Sequence, residues 1–473
     1  MSVIYQIYVR SFQDSDGDGV GDIPGVTRRL DYLASLGIDA LWLSPIYASP
    51  LADGGYDVSD HMAVHPDLGT LEDVRDLLSS AHQRGLEVLF DLVPSHTSIT
   101  HPWFQEHPEW YVWSAKGPPN NWLGAFGGRA WSRAESTGDW YLHSFYPEEP
   151  DLDWRNPRVH EAFAEVIHFW TELGVDGFRV DAVDCLAKDP LLRDDPPATV
   201  AYPLPLPGKY GELRHVHSRN APGYEEPLAA IREAAGGRML LGEVYRPTAE
   251  LAPYLEFFDG VFAFEFLFAE WSARNLARVV REAAAIGRVV WVLANHDAPR
   301  LATRVGSEHA RLAAMLLLTL PGAACIYQGE ELGLLDGDKG ATQDRAGRDA
   351  SRHPMQWDPS ANGGFTDGVP WLPLVDPQAR NATDQLADPD SLLTLYRSLL
   401  RVRKTLGGAF VLDEVSDDVL SYQRGVHRIV LNFADSARHI ETDKRVVLST
   451  DPAWDERNGW LAPRSGVILF ESG

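Results

Sequence analysis

Asp176-Gly177-Phe178-Arg179-Val180-Asp181 places an arginine and an aspartate two positions apart at the exit of a short apolar run. Side chains alternate across a strand, so Arg179 and Asp181 project to the same side of it. A guanidinium beside a carboxylate favours the ionised acid and lowers its pKa. A permanently ionised aspartate at a strand's exit suits a nucleophile or an electrostatic stabiliser of positive charge. One Arg-x-Asp taken alone reads better as a structural ion pair. The odds change because two further strand-end acids follow, Glu243 in Leu241-Gly242-Glu243-Val244-Tyr245 and Asp297 in Ala294-Asn295-His296-Asp297.

Working outward from that stretch, eight β-prone runs can be placed: Val3–Tyr8, Ala40–Leu43, Val88–Val93, Gly177–Asp181, Met239–Val244, Val261–Phe266, Val289–Ala294 and Ala323–Tyr327. Between them lie amphipathic segments such as Thr27–Leu36, Thr70–Arg84, Arg158–Leu173, Tyr224–Ala235, Ala269–Ala285 and Ser307–Leu320. Thr70 with Asp73 has the form of a capping start. The alternation predicts βα units and a parallel sheet. Eight such units predict an α/β fold of the closed (β/α)8 TIM-barrel type, with chemistry at the C-terminal strand ends.

Two intervals exceed simple loops. Residues 97–156 carry seven tryptophans, Trp103 to Trp154, and read as an inserted subdomain whose core most of these rings form. Residues 183–223 are rich in proline and charge, including Asp194-Asp195-Pro196-Pro197 and Pro203 to Pro207. A linker is one reading; an ordered active-site loop fits their place between a strand and its helix better. The predicted division is 1–96 and 157–407 for the two parts of the barrel, 97–156 for the insertion, and 408–473 for a small antiparallel C-terminal β domain.

The chain has 473 residues, 44% of them hydrophobic, enough for a large core. A net charge of −26 argues against nucleic acid and against anionic membrane surfaces as partners. It fits a small neutral substrate. The two cysteines, Cys185 and Cys325, sit in apolar surroundings and read as buried free thiols of a reducing compartment. The chain opens directly on Val3-Ile4-Tyr5-Gln6-Ile7-Tyr8 without a basic leader, and no run approaches about 18 uninterrupted apolar residues. The expectation is a cytoplasmic protein.

Asp91, Asp181, Glu243 and Asp297 fall at or near the ends of the third, fourth, fifth and seventh predicted strands, and a barrel would bring them to one mouth. Like charges crowd there, so the most enclosed acid should hold its proton. One proton donor beside one ionised carboxylate is what glycoside hydrolysis needs. Carboxylate clusters also hold divalent cations. Arg179, His96 and His296 weaken that reading, because cationic side chains already balance the charge.

The chain resembles the α-amylase family of retaining glycoside hydrolases, within it the α-glucosidase and oligo-1,6-glucosidase group, over essentially its whole length. The motifs are Ile4-Tyr5-Gln6-Ile7-Tyr8, Gly55-Tyr56-Asp57, Asp91-Leu92-Val93-Pro94-Ser95-His96, Gly177 to Asp181, Gly242-Glu243 and Asn295-His296-Asp297. Glu149-Pro150-Asp151-Leu152-Asp153 is similar to the group's Gln-Pro-Asp-Leu-Asn signature, altered at both ends. The resemblance implies Asp181 as nucleophile, Glu243 as acid then base, and Asp297 as stabiliser of the oxocarbenium-like transition state. It implies that Tyr56 stacks under the bound glucose and that His96 and His296 hydrogen-bond its hydroxyls. Asp57 would bind the non-reducing end, paired with Arg348 or, less favoured, Arg352, and so make the enzyme exo-acting. Ser95 stands where the family has Asn, with an expected loss of one supporting hydrogen bond and of no catalytic role.

Asp14, Asp16, Asp18 and Asp22 recur at even spacing with Gly17, Gly19 and Gly21 between them. A polar turn is the plain reading, but four unneutralised aspartates repel, which favours Ca2+ or Mg2+. Gly25 stands where an EF-hand would have its closing Glu, so this is no EF-hand. The resemblance implies a structural cation held by Asp14, Asp16, Asp18, the Val20 carbonyl and Asp22. It also points to Ala182, after the nucleophile, as a marker of α-1,4 rather than α-1,6 linkage. The implied activity is release of glucose from maltose and short maltooligosaccharides, with some transglucosylation. The near alternative is a sibling acting on sucrose, trehalose or isomaltooligosaccharides. A non-catalytic relative such as the amino-acid transporter heavy chains would lack the full acid set and carry a membrane anchor.

Overall fold

The computed structural model describes residues 2–199, 209–338, 344–440, 444–454 and 459–470. Eight strands close into a parallel barrel: β1 (Val3–Ile7), β2 (Ala40–Leu43), β3 (Glu87–Leu92), β4 (Gly177–Val180), β5 (Met239–Gly242), β6 (Gly260–Phe262), β7 (Val289–Val292) and β8 (Ala323–Tyr327). They neighbour one another in chain order, and β8 returns to β1. Runs such as Val289–Val292 are buried throughout, as expected for strands covered on both faces. All eight predicted strands are present.

Register sets up the site. β4 lies between β3 and β5, with Arg179 opposite Asp91 on one side and Leu241 on the other. Gly177 lets β4 and β5 meet this closely: a Cβ there would stand 2.2 Å from the Met239 carbonyl oxygen. The following helices start and stop where local chemistry directs. Pro157–Leu173 has Asn156 as N-cap, proline in its first turn, and Gly174 at φ 111° as its left-handed C-cap. Thr70 and Asp73 exchange side-chain-to-backbone hydrogen bonds ahead of Leu71–Gln83, a capping box with Asp in place of Glu.

Three predicted elements differ most in their bounds. β6 ends at Phe262, and Phe264–Phe268 is a short helix. That run is apolar in either conformation, so periodicity alone does not separate them. The next helix begins at Ala273, where Ser272 caps the Asn275 amide, rather than at Ala269. The first helical stretch starts earlier, at Ile23, because Asp22 accepts the Gly25 amide; it breaks at Arg29 and resumes as Leu30–Leu36.

The chain forms two compact units, Trp42–Ser79 with Glu87–Phe262, and Met1–Leu41 with Ser80–Leu86 and Ala263–Gly473. In the former, Trp113–Ser114, Trp140–Leu142 and Trp131–Arg133 make a small sheet with Trp140–Leu142 central. Val112, Trp122, Ala130, Trp131 and Leu142 form its core. The loop after β4 is ordered where described. Its Arg193 carbonyl accepts from Trp122 Nε1 at 2.9 Å, and Asp195 gathers the amides of Val216 and His217. The Pro203 to Pro207 stretch lies outside the described residues.

In the latter unit, five antiparallel strands run in the order Phe410–Val415, Val419–Arg424, His427–Asn432, Ser465–Phe470 and Arg445–Ser449. Val430, Leu461, Val467 and Leu469 pack together there. Cys185 and Cys325 are free and buried. Among the described residues no helix is long and apolar enough to cross a membrane.

Candidate active site

β4 delivers Arg179 into a cluster of acids. Its Nη1 donates to Asp91 Oδ1 at 2.6 Å and to Asp181 Oδ1 at 2.6 Å, and its Nη2 pairs with Glu243 Oε1. The Trp42 indole and the Tyr56 hydroxyl donate to Asp91 Oδ2 at 3.2 and 2.9 Å. The guanidinium also lies 5.0 Å from the centre of the Trp42 ring. Ala182 turns the chain out of the strand at φ 43°, and its amide donates to Glu243 Oε2 at 2.9 Å.

One guanidinium faces three carboxylates, all buried. Burial pushes the Asp91 carboxyl up to about 6 against the pull of Arg179. Burial, with the Glu243 charge next, holds Asp181 well above the usual carboxylate range. This corrects the expectation of a lowered, permanently ionised Asp181: Arg179 does pull it down, but the net direction is up. A single positive charge divided among three acids does not outweigh desolvation and mutual repulsion, so the cluster retains a proton.

Tyr56 and His96 stand close by. Ser95 Oγ lies 2.8 Å from His96 Nδ1, so the serine hydroxyl hydrogen-bonds the histidine beside it. Asp57 is buried, and burial raises its pKa. Its oxygens accept from Ser49 Oγ at 2.8 Å and from the Ala52 and Asp53 amides at 2.9 and 3.0 Å. Arg348 forks onto Asp344, four residues earlier, and both arginines turn to Asp297.

In the other unit, Asn295-His296-Asp297 follows β7. Asp297 Oδ1 takes Arg352 Nη2 at 3.0 Å and Arg348 Nη1 at 3.3 Å, while His296 Nε2 is 3.3 Å from Oδ2. His296 is fixed by Gln6 Nε2 at 2.7 Å from its Nδ1 and by stacking on Tyr8, with centroids 6.1 Å apart and 15° between planes. Arg352 Nε donates to the His296 carbonyl at 2.9 Å. Asp297 is 24% exposed, against 10% for Asp181. Gln6, Tyr8, Trp42, Asp344 and the Arg352–Asp297 contact escaped the reading from sequence. Gln6 and Tyr8 did leave a trace: two apart in the first strand motif, they share a face.

In the aspartate loop, Asp14, Asp16 and Asp18 offer carboxylate oxygens within 4.8 Å of one another. Asp22 does not join them. Its Oδ1 accepts the Gly25 amide and its Oδ2 the Ser15 amide, because it is the N-cap of Ile23–Arg28. Asp14 is itself braced by the amides of Asp16, Gly17 and Gly19 and by the Thr366 hydroxyl.

A closed parallel barrel with a buried acid near the end of β3, buried acids just after β4 and β5 and a further acid after β7 has the make-up of a glycoside hydrolase. Residues 6–409 match the model described as "Alpha amylase, catalytic domain". The chain belongs to the α-amylase family. It is 40% identical over 452 residues to a probable alpha-glucosidase of Rhizobium meliloti, covering 85% of this chain and 82% of that protein. To an oligo-1,6-glucosidase of Halalkalibacterium halodurans it is 34% identical, covering 95% and 92%. The crystal structure of the alpha-glucosyl transfer enzyme XgtA superposes with a TM-score of 0.93 at 35% identity, covering 100% of this chain and 99% of that one. The trehalulose synthase MutB of Pseudomonas mesoacidophila gives 0.90 at 28%, covering 99% and 98%.

Proposed function

We propose that the protein is a retaining, exo-acting α-glucosidase releasing glucose from the non-reducing ends of maltose and short maltooligosaccharides. The observation that carries this is the buried Asp181–Glu243 pair held together on Arg179, a geometry in which the reaction needs one proton, on the acid. Glu243 delivers that proton to the glycosidic oxygen while Asp181 attacks the anomeric carbon; the C–O bond to the leaving sugar breaks and an ester to Asp181 forms. Glu243, now ionised, takes a proton from water, and the hydroxide displaces Asp181 to give the α-anomer. Asp297 stabilises the oxocarbenium-like charge, held in place by Arg348 and Arg352. Tyr56 stacks on the glucosyl ring, His96 and His296 bind its hydroxyls, and Asp57 faces its far end.

A second reading has support from XgtA and MutB: a sibling that transfers or rearranges the glucosyl group, or cleaves α-1,6 bonds. Sugars and water compete for the same covalent intermediate, so some transglucosylation is expected in either case. Ala182 favours α-1,4 linkage, since a bulkier neighbour would alter pocket shape by an amount worth about 1–3 kcal/mol. Initial rates on maltose, isomaltose, sucrose and trehalose decide between the readings. Maltose is expected to give the highest kcat/KM with glucose as main product; an isomerised disaccharide as main product would overturn the hydrolase.

The oxygen-only donors of Asp14, Asp16 and Asp18 suit Ca2+ or Mg2+. A cation there would brace the loop after β1 and take no part in the chemistry. Chelation is expected to lower Tm and added Ca2+ or Mg2+ to restore it, since a ligand at a hundred times its Kd stabilises by about 2.7 kcal/mol. An unchanged Tm after verified metal removal would oppose the assignment. Two buried free thiols favour a reducing, cytoplasmic setting.

A further inference from the structure

Glu149 is fully buried beside the equally buried His96. Its Oε2 accepts the Tyr146 amide at 3.0 Å, and its Oε1 lies 3.3 Å from the imidazole Nε2. On the opposite edge of the ring, the Ser95 hydroxyl sits at 2.8 Å from Nδ1 and is able to donate or accept. The Tyr56 carbonyl is the other acceptor at Nε2, also at 3.3 Å. Both contacts are longer than the usual 2.9–3.0 Å, so the Nε2–H is shared between the two acceptors and held tightly by neither.

We propose that Glu149 is a positioning residue that holds His96 as its doubly protonated imidazolium, so the pocket presents a charged donor to the glucosyl hydroxyls. The inference rests on the reading of His96 as a sugar-binding residue. An ionised carboxylate buried with no other counter-charge on Oε1 is costly unless the imidazole carries the matching proton. An amide at 149 would exert no such pull.

The surrounding charges agree. Burial works against a charged His96, but Glu149 first, then Asp151 and Asp53, overcome it and raise its pKa. Burial and the Asp53 charge push Glu149 up to about 7, with His96 pulling it back. Asp151 is already neutralised by Lys188, Nζ to Oδ2 at 2.7 Å. His61, further along the same cluster, is lowered to about 3 by burial and stays neutral. The Phe145 ring packs edge-on against the imidazole, with centroids 5.3 Å apart.

The test compares wild type with Glu149→Gln. With the carboxylate gone His96 loses its proton at lower pH, so the alkaline limb of kcat/KM is expected to move down by about one to three pH units. A folded variant with an unchanged pH profile would overturn the proposal. Histidine-selective 13C NMR, assigned with His96→Gln, reads the same group without substrate and without the Glu149 variant. In wild-type protein the His96 imidazole is expected charged at pH 7.5; a neutral ring at pH 7 overturns the inference. If no α-glucoside is hydrolysed at all, the proposed function falls, and the NMR titration still decides the role of Glu149.

Discussion

Asp181→Asn is expected to lower kcat on maltose by about five to six orders of magnitude, the scale reached when a covalent nucleophile is removed. Tm is expected to stay level or rise. The amide is isosteric and still offers an oxygen to Arg179 Nη1, while one of three crowded buried carboxylates disappears. This pair of outcomes separates nucleophile from structural ion pair. A purely structural aspartate would show the reverse, reduced stability with turnover largely intact. Residual hydrolysis at more than about one per cent of wild type would sink the assignment, since no other route supplies the covalent step. Proton NMR of the first product formed by wild type should show the α-anomer; a β-anomer would contradict retention.

Arg179→Met should be the most damaging single change to the fold. It leaves Asp91, Asp181 and Glu243 buried without their shared cation, a loss of about 3–5 kcal/mol. The pH dependence follows from sign. Asp91 titrates at about 6 in the folded protein against 3.8 when unfolded, so the folded state binds more protons between those values. Its contribution to stability therefore falls as pH rises through that window. Removing Arg179 deletes the influence that lowers Asp91 and Asp181, so both hold protons to higher pH. The Tm deficit of Arg179→Met is thus expected to shrink between pH 8 and pH 5. A deficit constant with pH would mean that the guanidinium matters through packing on Trp42 rather than through charge.

The barrel was legible because its signal is local and repeated: eight apolar runs between amphipathic segments, each closed by a polar residue. Element bounds were less so. The Phe262 to Phe268 stretch is apolar in any conformation, and only tertiary packing ends β6 where it ends. The acids were legible by position, whereas their electrostatics were not. Arg179 and Asp181 look like a private pair at i and i+2; register brings Asp91 beside them, and Glu243 completes the cluster, only after folding. The same holds for Arg348 and Arg352. Asp344 and the His296 carbonyl hold them where both reach Asp297, a placement that motif membership does not give. Asp22 shows the converse, a residue of the aspartate pattern whose carboxylate also caps a helix.

Ala182 sits in the left-handed region at φ 43°, between the nucleophile and the acid that receives its amide. For a residue with a Cβ that conformation costs about 1–2 kcal/mol. At the position we propose as the marker of linkage, backbone energy therefore also filters what is tolerated. Glycine and asparagine enter cheaply, whereas a β-branched side chain adds strain at the hinge that aims Glu243. Adaptive routes toward a new glycosidic bond through this position should accordingly appear late, after stabilising changes elsewhere have accumulated, and libraries built on a thermostabilised parent should recover variants that the wild-type background discards.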